Sequence, residues 1–308
     1  MTVFPKNARV VFLGDSITAC CNWATRVVDY YTKNLPELSV KFKNSAVAGG
    51  TLSTMLAYFE PDTLPFKPTH ATIFLGVNDS RNSALDNPDE TARDNALAQA
   101  FARYKANYET LLALLKEHGI TPILITPAPY AEYFETGQPV HPHGHELIRR
   151  YAEHVRYLAR RDKLELVDFH ARMAELYLDE ALYNPDRIHP NDFGHYRMAE
   201  CFLNAQGLEA PEYRTLDEIL EEPVIGEWKQ LTHLIRRVWG TELMLVRDYE
   251  MPLEEKLKKM QDYIDDRGWS GSPVAITLEA LSKEYLIYKP KEAEMTARIS
   301  EIMEEIYK

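Results

Sequence analysis

Cysteine is scarce in this sequence, and its placement argues against a disulfide framework. Only three cysteines occur in 308 residues. Cys20 and Cys21 are adjacent and so poorly placed to pair with each other, while Cys201 lies far along the chain. The spacing matches no cysteine-based metal site either. We therefore expect free thiols and no metal held by cysteine.

Positive charge is also in deficit. The 35 Lys and Arg residues stand against 47 Asp and Glu residues, which gives a net charge of −12. Such a surface repels phosphate backbones and anionic lipids unless a local basic patch intervenes. The basic runs are short and mixed with acids, as is typical of solvated helix faces; they are 149–150, 160–161 and 256–259. We expect no nucleic-acid partner.

Long apolar runs are missing as well. No stretch is long enough to span a bilayer, and the N-terminal segment MTVFPKNARVVFLG lacks the apolar core of a signal peptide. Hydrophobic residues at 45% and charged residues at 27% are those of a soluble globular protein. We therefore expect a cytoplasmic protein that makes no membrane contact.

Strand-like and helix-like patterns alternate over the first two thirds of the chain. Short apolar, β-branched runs predict strands, and apolar residues at helical spacing predict the helices between them. The predicted strands are 8–13, 38–42, 71–75, 122–125 and 164–167. The predicted helices are 22–34, 51–58, 96–118, 145–161, 171–177 and 193–203. This alternation predicts an α/β fold with a parallel sheet covered by helices on both faces.

The alternation stops near Gly207, and an acidic, proline-containing connection follows at 208–214. The pattern beyond it is mainly helical, with breaks predicted at Pro223, Gly240, Gly268 and Pro290. We therefore predict two domains, 1–207 with the sheet and 208–308 as a small helical domain.

Three tryptophans, Trp228, Trp239 and Trp269, lie in the predicted helical domain. We expect them to fill its core, because a small domain needs large side chains to occupy its interior. The alternative is that some of them meet the catalytic mouth or a second subunit, since such surfaces are rich in Trp and Tyr. We favour dimerisation through this domain.

Small polar and reactive residues follow several of the predicted strands. In an open parallel sheet the ligand binds beyond the carboxyl ends of the strands, so these residues meet at one edge. They are Ser16 in VFLGDSIT; Asn44, Gly49 and Gly50 in NSAVAGGT; Asn78 and Asp79 in GVND; and Asp186 and His189 in DRIHPN.

Several of these residue types are suited to nucleophilic catalysis. The hydroxyl of Ser16 is unreactive at neutral pH until a base takes its proton, and an imidazole held by a carboxylate is the usual base. Asp186 and His189 are three residues apart, so in a tight turn the carboxylate can bond one ring nitrogen while the other faces outward. The backbone N–H of Gly49 and the amide of Asn78 are suitable donors to an oxyanion, because neither brings a competing charge.

Each motif has a plainer explanation when it is taken alone. Gly-Asp-Ser and Asn-Asp are common turns, a glycine pair often marks the entry to a helix, and Asp-x-x-His can be a surface contact or half of a metal site. Their shared order at predicted strand ends favours a hydrolase site over four unrelated turns.

Four segments of the chain resemble the conserved blocks of the SGNH hydrolases, also called the GDSL family. These segments are FLGDSIT, NSAVAGG, GVND and DRIHPNDFGH, and the resemblance covers roughly residues 8 to 206. It implies a flavodoxin-like α/β/α hydrolase fold and a Ser-His-Asp triad of Ser16, His189 and Asp186. It also implies an oxyanion hole made by the N–H of Ser16, the N–H of Gly49 and the side chain of Asn78, and it implies no cofactor.

The second segment departs from the common family pattern. Members often read Asn-x-Gly-x-x-Gly, whereas this chain has Ala46 in the middle position and a doubled glycine, Gly49-Gly50. Counting from Asn44 favours Gly49 as the oxyanion donor. Gly50 stays open as the alternative.

A loop after the fourth predicted strand is rich in aromatic and imidazole side chains. His141, His143 and His145 in HPHGH can bind a transition metal in principle, but no nearby acid or cysteine completes a zinc set, so we expect no metal. A substrate-binding or merely solvated loop is the favoured interpretation. The aromatic residues Tyr130, Tyr133 and Phe134 can pack against sugar rings, although ordinary packing is the default.

Four further polar residues close to these motifs have two interpretations each. We expect Asp15 and Asp79 to bond neighbouring backbone N–H groups rather than to carry protons. Arg187 either reaches an anionic part of the substrate or pairs with an acid, and His195 is expected to make a structural bond.

The function implied by the resemblance is that of a serine esterase. The forms GDSIT, GVND and DRIHPN look like those of compact bacterial sugar-esterase and lysophospholipase-like members. The chain lacks an apolar helical lid or a lipid-facing patch, which weakens the lipase option, so we expect removal of O-acetyl groups from carbohydrates. The substrate partner is then a small-molecule or oligosaccharide ester. A lysophospholipase or thioesterase and a sugar O-acetyltransferase are the enzymatic alternatives, and an assembly or binding role for the helical region is the non-enzymatic one.

Overall fold

A computed structural model describes residues 1–133, 140–246, 248, 250–266 and 273–307. Three residues with a role in the sequence analysis, Phe134, Gly268 and Trp269, lie outside the described residues.

Five parallel strands form one sheet in the order β2-β1-β3-β4-β5. The strands are β1 (Arg9–Gly14), β2 (Lys41–Asn44), β3 (His70–Phe74), β4 (Thr121–Ile125) and β5 (Glu165–Val167). This is the flavodoxin-like strand order, and the direction in which strands are added reverses between β1 and β3. The predicted parallel α/β fold is confirmed.

Helices connect the strands and cover the sheet. They are α1 (Ser16–Ala19), α2 (Asn22–Asn34), α3 (Leu52–Tyr58), α4 (Val77–Ser80), α5 (Glu90–Glu117), α6 (Gly144–Asp162), α7 (Phe169–Leu176) and α8 (Asp192–Ala205). Side-chain caps fix where several of them begin. Thr51 and Thr54 form a capping box at the start of α3, and Asn191 accepts the N–H of Gly194 at 2.9 Å at the start of α8.

The second strand begins later than predicted. The sequence favoured 38–42, whereas β2 is Lys41–Asn44. The segment Pro36–Leu38 instead forms a 3₁₀ turn, and Ser39 closes it in the left-handed region with φ of 48°. Proline fixes its own φ at a value that a 3₁₀ turn uses, so the alternating pattern of LSVKF was misleading at its first residues.

Within the described residues, five helices follow the sheet region. They are α9 (Leu216–Leu220), α10 (Pro223–Thr241), α11 (Leu253–Asp266), α12 (Pro273–Tyr288) and α13 (Glu292–Glu305). Pro223 is the first residue of α10, where a missing N–H costs nothing. The predicted break at Gly240 is wrong, because α10 continues to Thr241 and then into a π-helical turn, Glu242–Val246.

The C-terminal helices share their hydrophobic core with the sheet. Trp228 is fully buried in the same cluster as Phe12 and Phe42 of the strands, and Ile302 of α13 joins it. Trp239 is buried in a second cluster, against Tyr58, with ring centroids 4.7 Å apart. The two tryptophans therefore fill a core, as expected, but that core lies between the helices and the sheet. The division of the chain at residue 207 stays a prediction.

A buried ion pair joins α10 to the sheet region. Arg236 donates two hydrogen bonds, 2.7 and 3.0 Å long, to the carboxylate of Asp62, and both side chains are buried. Lys43 of β2 contacts the same carboxylate at 2.9 Å. Burial alone would raise the pKa of Asp62, but the two cations outweigh it and hold the pKa well below its usual range.

No helix in the described part of the chain combines the length and the hydropathy that a membrane crossing requires.

The substitution Asp62→Asn should destabilise the protein strongly. It leaves Arg236 and Lys43 at a buried site without their counter-charge, which typically costs about 3–5 kcal/mol. Chemical unfolding followed by circular dichroism measures the change. Glu146→Gln is the control, because it breaks an exposed pair with Arg149 that is expected to contribute little. Equal effects of the two substitutions would contradict the role assigned to the buried pair.

Candidate active site

A sharp corner after β1 presents Ser16. Asp15 caps α1 by accepting the N–H of Ile17 at 3.0 Å, and Ser16 is the first residue of that short helix. Gly14 is needed for the corner, because a Cβ there would lie 2.5 Å from the hydroxyl oxygen of Thr18. The serine is thereby held at the carboxyl edge of the sheet, beside the point where the strand order reverses.

The sheet brings Ser16 and His189 together across 173 residues of sequence. Ser16 Oγ lies 2.7 Å from Nε2 of His189, and Nδ1 of the same imidazole lies 2.6 Å from Oδ2 of Asp186. The imidazole therefore connects a hydroxyl on one side to a carboxylate on the other. This arrangement can take a proton from the hydroxyl while the carboxylate orients the ring.

The carboxylate of Asp186 is itself fixed by the turn that it begins. Its Oδ1 accepts the backbone N–H groups of Ile188 and His189 at 3.0 and 2.9 Å. Partial burial would raise the pKa of Asp186, but the hydrogen bonds from His189 and Ile188 outweigh burial and lower it. The carboxyl group is therefore ionised at neutral pH, as an acceptor for the imidazole N–H must be.

Donors of hydrogen bonds converge from the neighbouring strand ends. The Nδ2 of Asn78 donates to the carbonyl of Gly50 at 3.0 Å, which leaves one amide hydrogen available. The N–H of Gly50 is already bonded to the carbonyl of Val47 at 2.8 Å. Within the described residues, the N–H groups of Ser16 and Gly49 have no hydrogen-bond partner. The geometry thus favours Gly49 over Gly50 as a free donor.

Two carboxyl groups, of the buried Asp15 and the partly buried Asp79, support this edge of the sheet. Asp79 accepts the N–H of Leu52 at 3.1 Å and so ties the segment of Asn78 to the start of α3. Burial raises the pKa of Asp79 to about 7, with a further contribution from the charge of Asp15. Burial also raises the pKa of Asp15 to about 6, against the opposing effects of the Ile17 N–H and His189. Both carboxyl groups bond backbone N–H groups, as the sequence suggested.

Two residues considered for substrate contact lie in packing positions. Arg187 is buried, adopts φ of 66°, and donates to the carbonyls of Ala131 and Glu132 at 3.3 and 3.2 Å. Its guanidinium therefore binds the main chain of the loop after β4 and does not face a substrate. Tyr130 is also buried, and its ring packs so closely on Gly144 that a Cβ there would lie 2.5 Å from it.

Tyr133, by contrast, is 65% exposed and stands 5.9 Å from the ring of His145, centroid to centroid. This ring is exposed to solvent, but Tyr133 is not among the described residues that line the cavity next to Ser16.

Two different carboxylates contact the three histidines of the HPHGH segment. His141 pairs with Asp86 at 2.8 Å, while the backbone N–H groups of His143 and His145 donate to the carboxylate of Glu132 at 2.9 and 3.0 Å. Within the residues that the structure describes, no three His, Cys, Asp or Glu side chains converge as metal ligands.

His195 makes a structural contact. It is buried, and its Nε2 lies 3.6 Å from Sγ of Cys20. Burial, reinforced by the charge of Arg26, lowers its pKa to about 3.

A cavity beside Ser16 is lined by residues that the sequence analysis did not assign to the site. His233, Gly240, Met244 and Leu281 from the C-terminal region face Ser16 and the other residues of the sheet edge across it. His233 lines this cavity together with Ala19, the last residue of the helix that begins with Ser16. The sequence feature that could have indicated this wall of the cavity is Gly240. A glycine inside a helical pattern usually has a packing reason.

The five-stranded parallel sheet covered by helices defines the class of the protein as a flavodoxin-like α/β protein, with a hydroxyl, an imidazole and a carboxylate at the carboxyl edge of the sheet. Residues 12–197 match the GDSL-like Lipase/Acylhydrolase family, so the chain belongs to that family. It is a carboxylic ester hydrolase, and the resemblance found in the four sequence segments is confirmed.

Known relatives agree with this assignment. An acetylxylan esterase from Geobacillus stearothermophilus is 26% identical over 218 residues, which are 65% of this chain and 94% of the relative. A solved structure of a catalytic mutant of an acetylxylan esterase from that organism has a TM-score of 0.57 at 24% identity, covering 70% of this chain and all of its own.

A second solved structure, of a gut microbial diltiazem-metabolizing enzyme, covers all of this chain and 97% of its own. Its TM-score is 0.75 at 18% identity. At such identities both structures show the fold alone, and in this one the shared fold includes the C-terminal helices.

The substitution Asp79→Asn should change stability in a pH-dependent way. The pKa of Asp79 is raised from 3.8 to about 7, so the folded protein holds a proton there that the unfolded chain releases above pH 4. Stability is therefore lost as the pH rises from about 4 to about 7. A neutral asparagine removes that loss, so its effect on the melting temperature should be more favourable at pH 8 than at pH 5.

Melting curves of the two proteins at both pH values measure this difference. Asp94→Asn on α5, where the carboxylate is exposed, is the control and should show a much smaller pH-dependent difference. The same change for Asp79→Asn at pH 5 and pH 8 would contradict the raised pKa.

Proposed function

We propose that this enzyme hydrolyses small acyl esters of carbohydrates, O-acetyl esters in particular, with Ser16 as nucleophile. The observation that carries the proposal is the continuous hydrogen-bonded series from Ser16 Oγ through His189 to Asp186, at 2.7 and 2.6 Å. These distances lie within the range that proton transfer between a nucleophile and its base requires.

The proposed reaction has two displacements at the ester carbonyl. Ser16 Oγ attacks the carbonyl carbon as its proton passes to Nε2 of His189. The carbon–oxygen bond to the alcohol then breaks, and His189 returns the proton to the departing alcohol oxygen. A water molecule next gives a proton to His189 and attacks the acyl-enzyme, which releases the acid and restores the serine hydroxyl.

The oxyanion of each tetrahedral intermediate needs donors that are already in place. The N–H groups of Ser16 and Gly49 and the remaining amide hydrogen of Asn78 are the proposed donors. Their support is that the two N–H groups have no partner within the described residues and that the Gly50 carbonyl holds the Asn78 amide. Donors of this kind act without rearrangement, so they stabilise the developing charge efficiently.

Two observations support a carbohydrate ester. The curated relative at 26% identity is an acetylxylan esterase. A polar cleft of about 120 Å³ also adjoins Asn78, and hydroxyl, amide and guanidinium groups line it, including those of Ser53, Arg103 and Asn107. Such groups can replace the hydrogen bonds with water that a sugar loses on binding.

The variants Ser16→Ala and His189→Ala test the assigned roles. Each should lower kcat for 4-nitrophenyl acetate by at least about 10³-fold, because the acyl-enzyme can no longer form at a useful rate. Circular dichroism melting curves should match those of the wild type, since both side chains lie at the rim of the site. Normal turnover by Ser16→Ala would refute the nucleophile assignment.

A fluorophosphonate probe provides an independent readout of the same assignment. It should label the wild-type protein and the variant Cys20→Ser, but not Ser16→Ala. Absence of labelling in the wild type would argue against an activated serine, whatever the substrate.

A substrate panel separates the proposed carbohydrate esterase from its alternatives. Acetylated xylo-oligosaccharides should react faster than acyl-thioesters and lysophospholipids of the same concentration. Activity confined to lysophospholipids or thioesters would favour those substrate classes instead. Adding a free sugar acceptor and analysing the products by mass spectrometry distinguishes hydrolysis from acetyl transfer.

The oligomeric state and the location also remain proposals. We propose dimerisation through the helices after residue 207. Light scattering of the full chain measures the mass directly. A cytoplasmic location fits the sequence features and is tested by fractionation of the host cell.

A further inference from the structure

The cavity beside Ser16 is formed jointly by the sheet edge and the C-terminal helices. Its volume is about 350 Å³. Ser16 and His189 lie on one side, and Gly240, Met244 and Leu281 lie on the other. A group bound there would be next to the reacting carbonyl of an ester held by Ser16.

Both arginines on the C-terminal wall of this cavity already have carboxylate partners. Arg236 is bonded to Asp62, and Arg237 pairs with Glu284 at 2.7 Å. The remaining wall includes Gly240, Met244 and Leu281. The wall therefore offers mainly methyl, methylene and thioether surface to a ligand. A sugar placed there would lose hydrogen bonds to water without replacement, which is unfavourable.

The cavity is also larger than an acetyl group needs. Three heavy atoms, each taken as about the 30 Å³ of a water molecule in the liquid, occupy roughly 90 Å³. Most of the 350 Å³ would then stay empty beside the acetyl group. The volume falls instead at the lower end of ligand pockets, which hold roughly 300 to 1,000 Å³.

We infer that α10, the turn after it and α12 form a specificity pocket for an apolar group attached to the ester, on either its acyl or its alcohol side. This inference rests on Ser16 being the nucleophile, as proposed above. It deepens that proposal by naming the group that the substrate carries next to the ester: an aliphatic or aromatic moiety several carbons larger than a methyl group. Sugar hydroxyls would then face the polar cleft beside Asn78.

Gly240 controls how much of this pocket is open. A Cβ at Gly240 would lie 3.7 Å from the Cβ of Ala48, an ordinary contact distance, so alanine fits there without any displacement. A leucine would continue past that contact into the cavity that Ala48 also lines. Gly240→Leu should therefore fill the pocket, and Gly240→Ala should leave most of it open.

Two ester series measure the pocket in the wild type and the variants. One keeps 4-nitrophenol and lengthens the acyl group from acetate to butyrate, hexanoate and octanoate. The other keeps acetate and enlarges the alcohol from ethyl to hexyl and naphthyl. Gln230→Leu adds the same side chain at an exposed position of α10 and is the matched control.

In the wild type, kcat/KM should rise with apolar size in one of the two series, which identifies the side of the ester that the pocket holds. Gly240→Leu should lower kcat/KM for the best large ester by about 10-fold or more. It should change the rate for ethyl acetate or 4-nitrophenyl acetate much less. Gln230→Leu should retain the wild-type preference, and Gly240→Ala should lower kcat/KM for the best large ester less than Gly240→Leu does.

The inferred specificity pocket would be refuted if kcat/KM did not change with ester size in either series. It would also be refuted if Gly240→Leu lowered kcat/KM equally for every ester. In that case a Ser16-dependent hydrolysis of acetate esters would still stand. Loss of all Ser16 dependence would instead refute the proposed nucleophile. Melting curves of the variants separate either result from a failure to fold.

Discussion

The buried ion pair between Arg236 and Asp62 is the interaction on which the shape of the site depends. It fixes α10 beside the second strand, where Lys43 contributes a further positive charge. Removing two or more charges from water is costly, so the arrangement is favourable only when both cations contact the carboxylate closely. With α10 held there, the residues one turn further on reach the cavity beside Ser16. The geometry of the C-terminal wall thus follows from the ion pair that one of its own residues, Arg236, makes with Asp62 of the sheet region.

Hydrogen bonds hold the reactive groups at the edge of the sheet in position. Asp15 caps the helix that begins at Ser16, Asp79 holds the start of α3, and Asp186 holds both the backbone and the ring of His189. Each carboxyl group accepts a hydrogen bond from a backbone N–H. These hydrogen bonds restrain the loops that carry the reactive groups. A site of this kind is organised before the substrate binds, which is what electrostatic stabilisation of an oxyanion requires.

The C-terminal helices are part of the same packed structure as the sheet. Trp228 and Ile302 lie in a cluster with residues of β1 and β2, and Trp239 packs on Tyr58. Hydrophobic side chains that share one core fold together, so these helices are expected to stabilise the sheet as well as to border the cavity. The pattern along the sequence predicts the division at residue 207 from the point where the strands stop, and it carries no information about which apolar faces meet.

The sequence by itself determined the parallel α/β fold, the bounds of most helices, and the candidate residues Ser16, Gly49, Asn78, Asp186 and His189. It could do so because local periodicity specifies strands and helices, and because each of these residues follows a strand or lies in a short motif. Only the tertiary structure decided that Arg187 and Tyr130 pack in the interior, that Gly49 rather than Gly50 has a free N–H, and that Gly240 lies inside a helix facing Ala48. Those outcomes depend on contacts between residues far apart in the chain, and no local pattern records which distant surfaces come together.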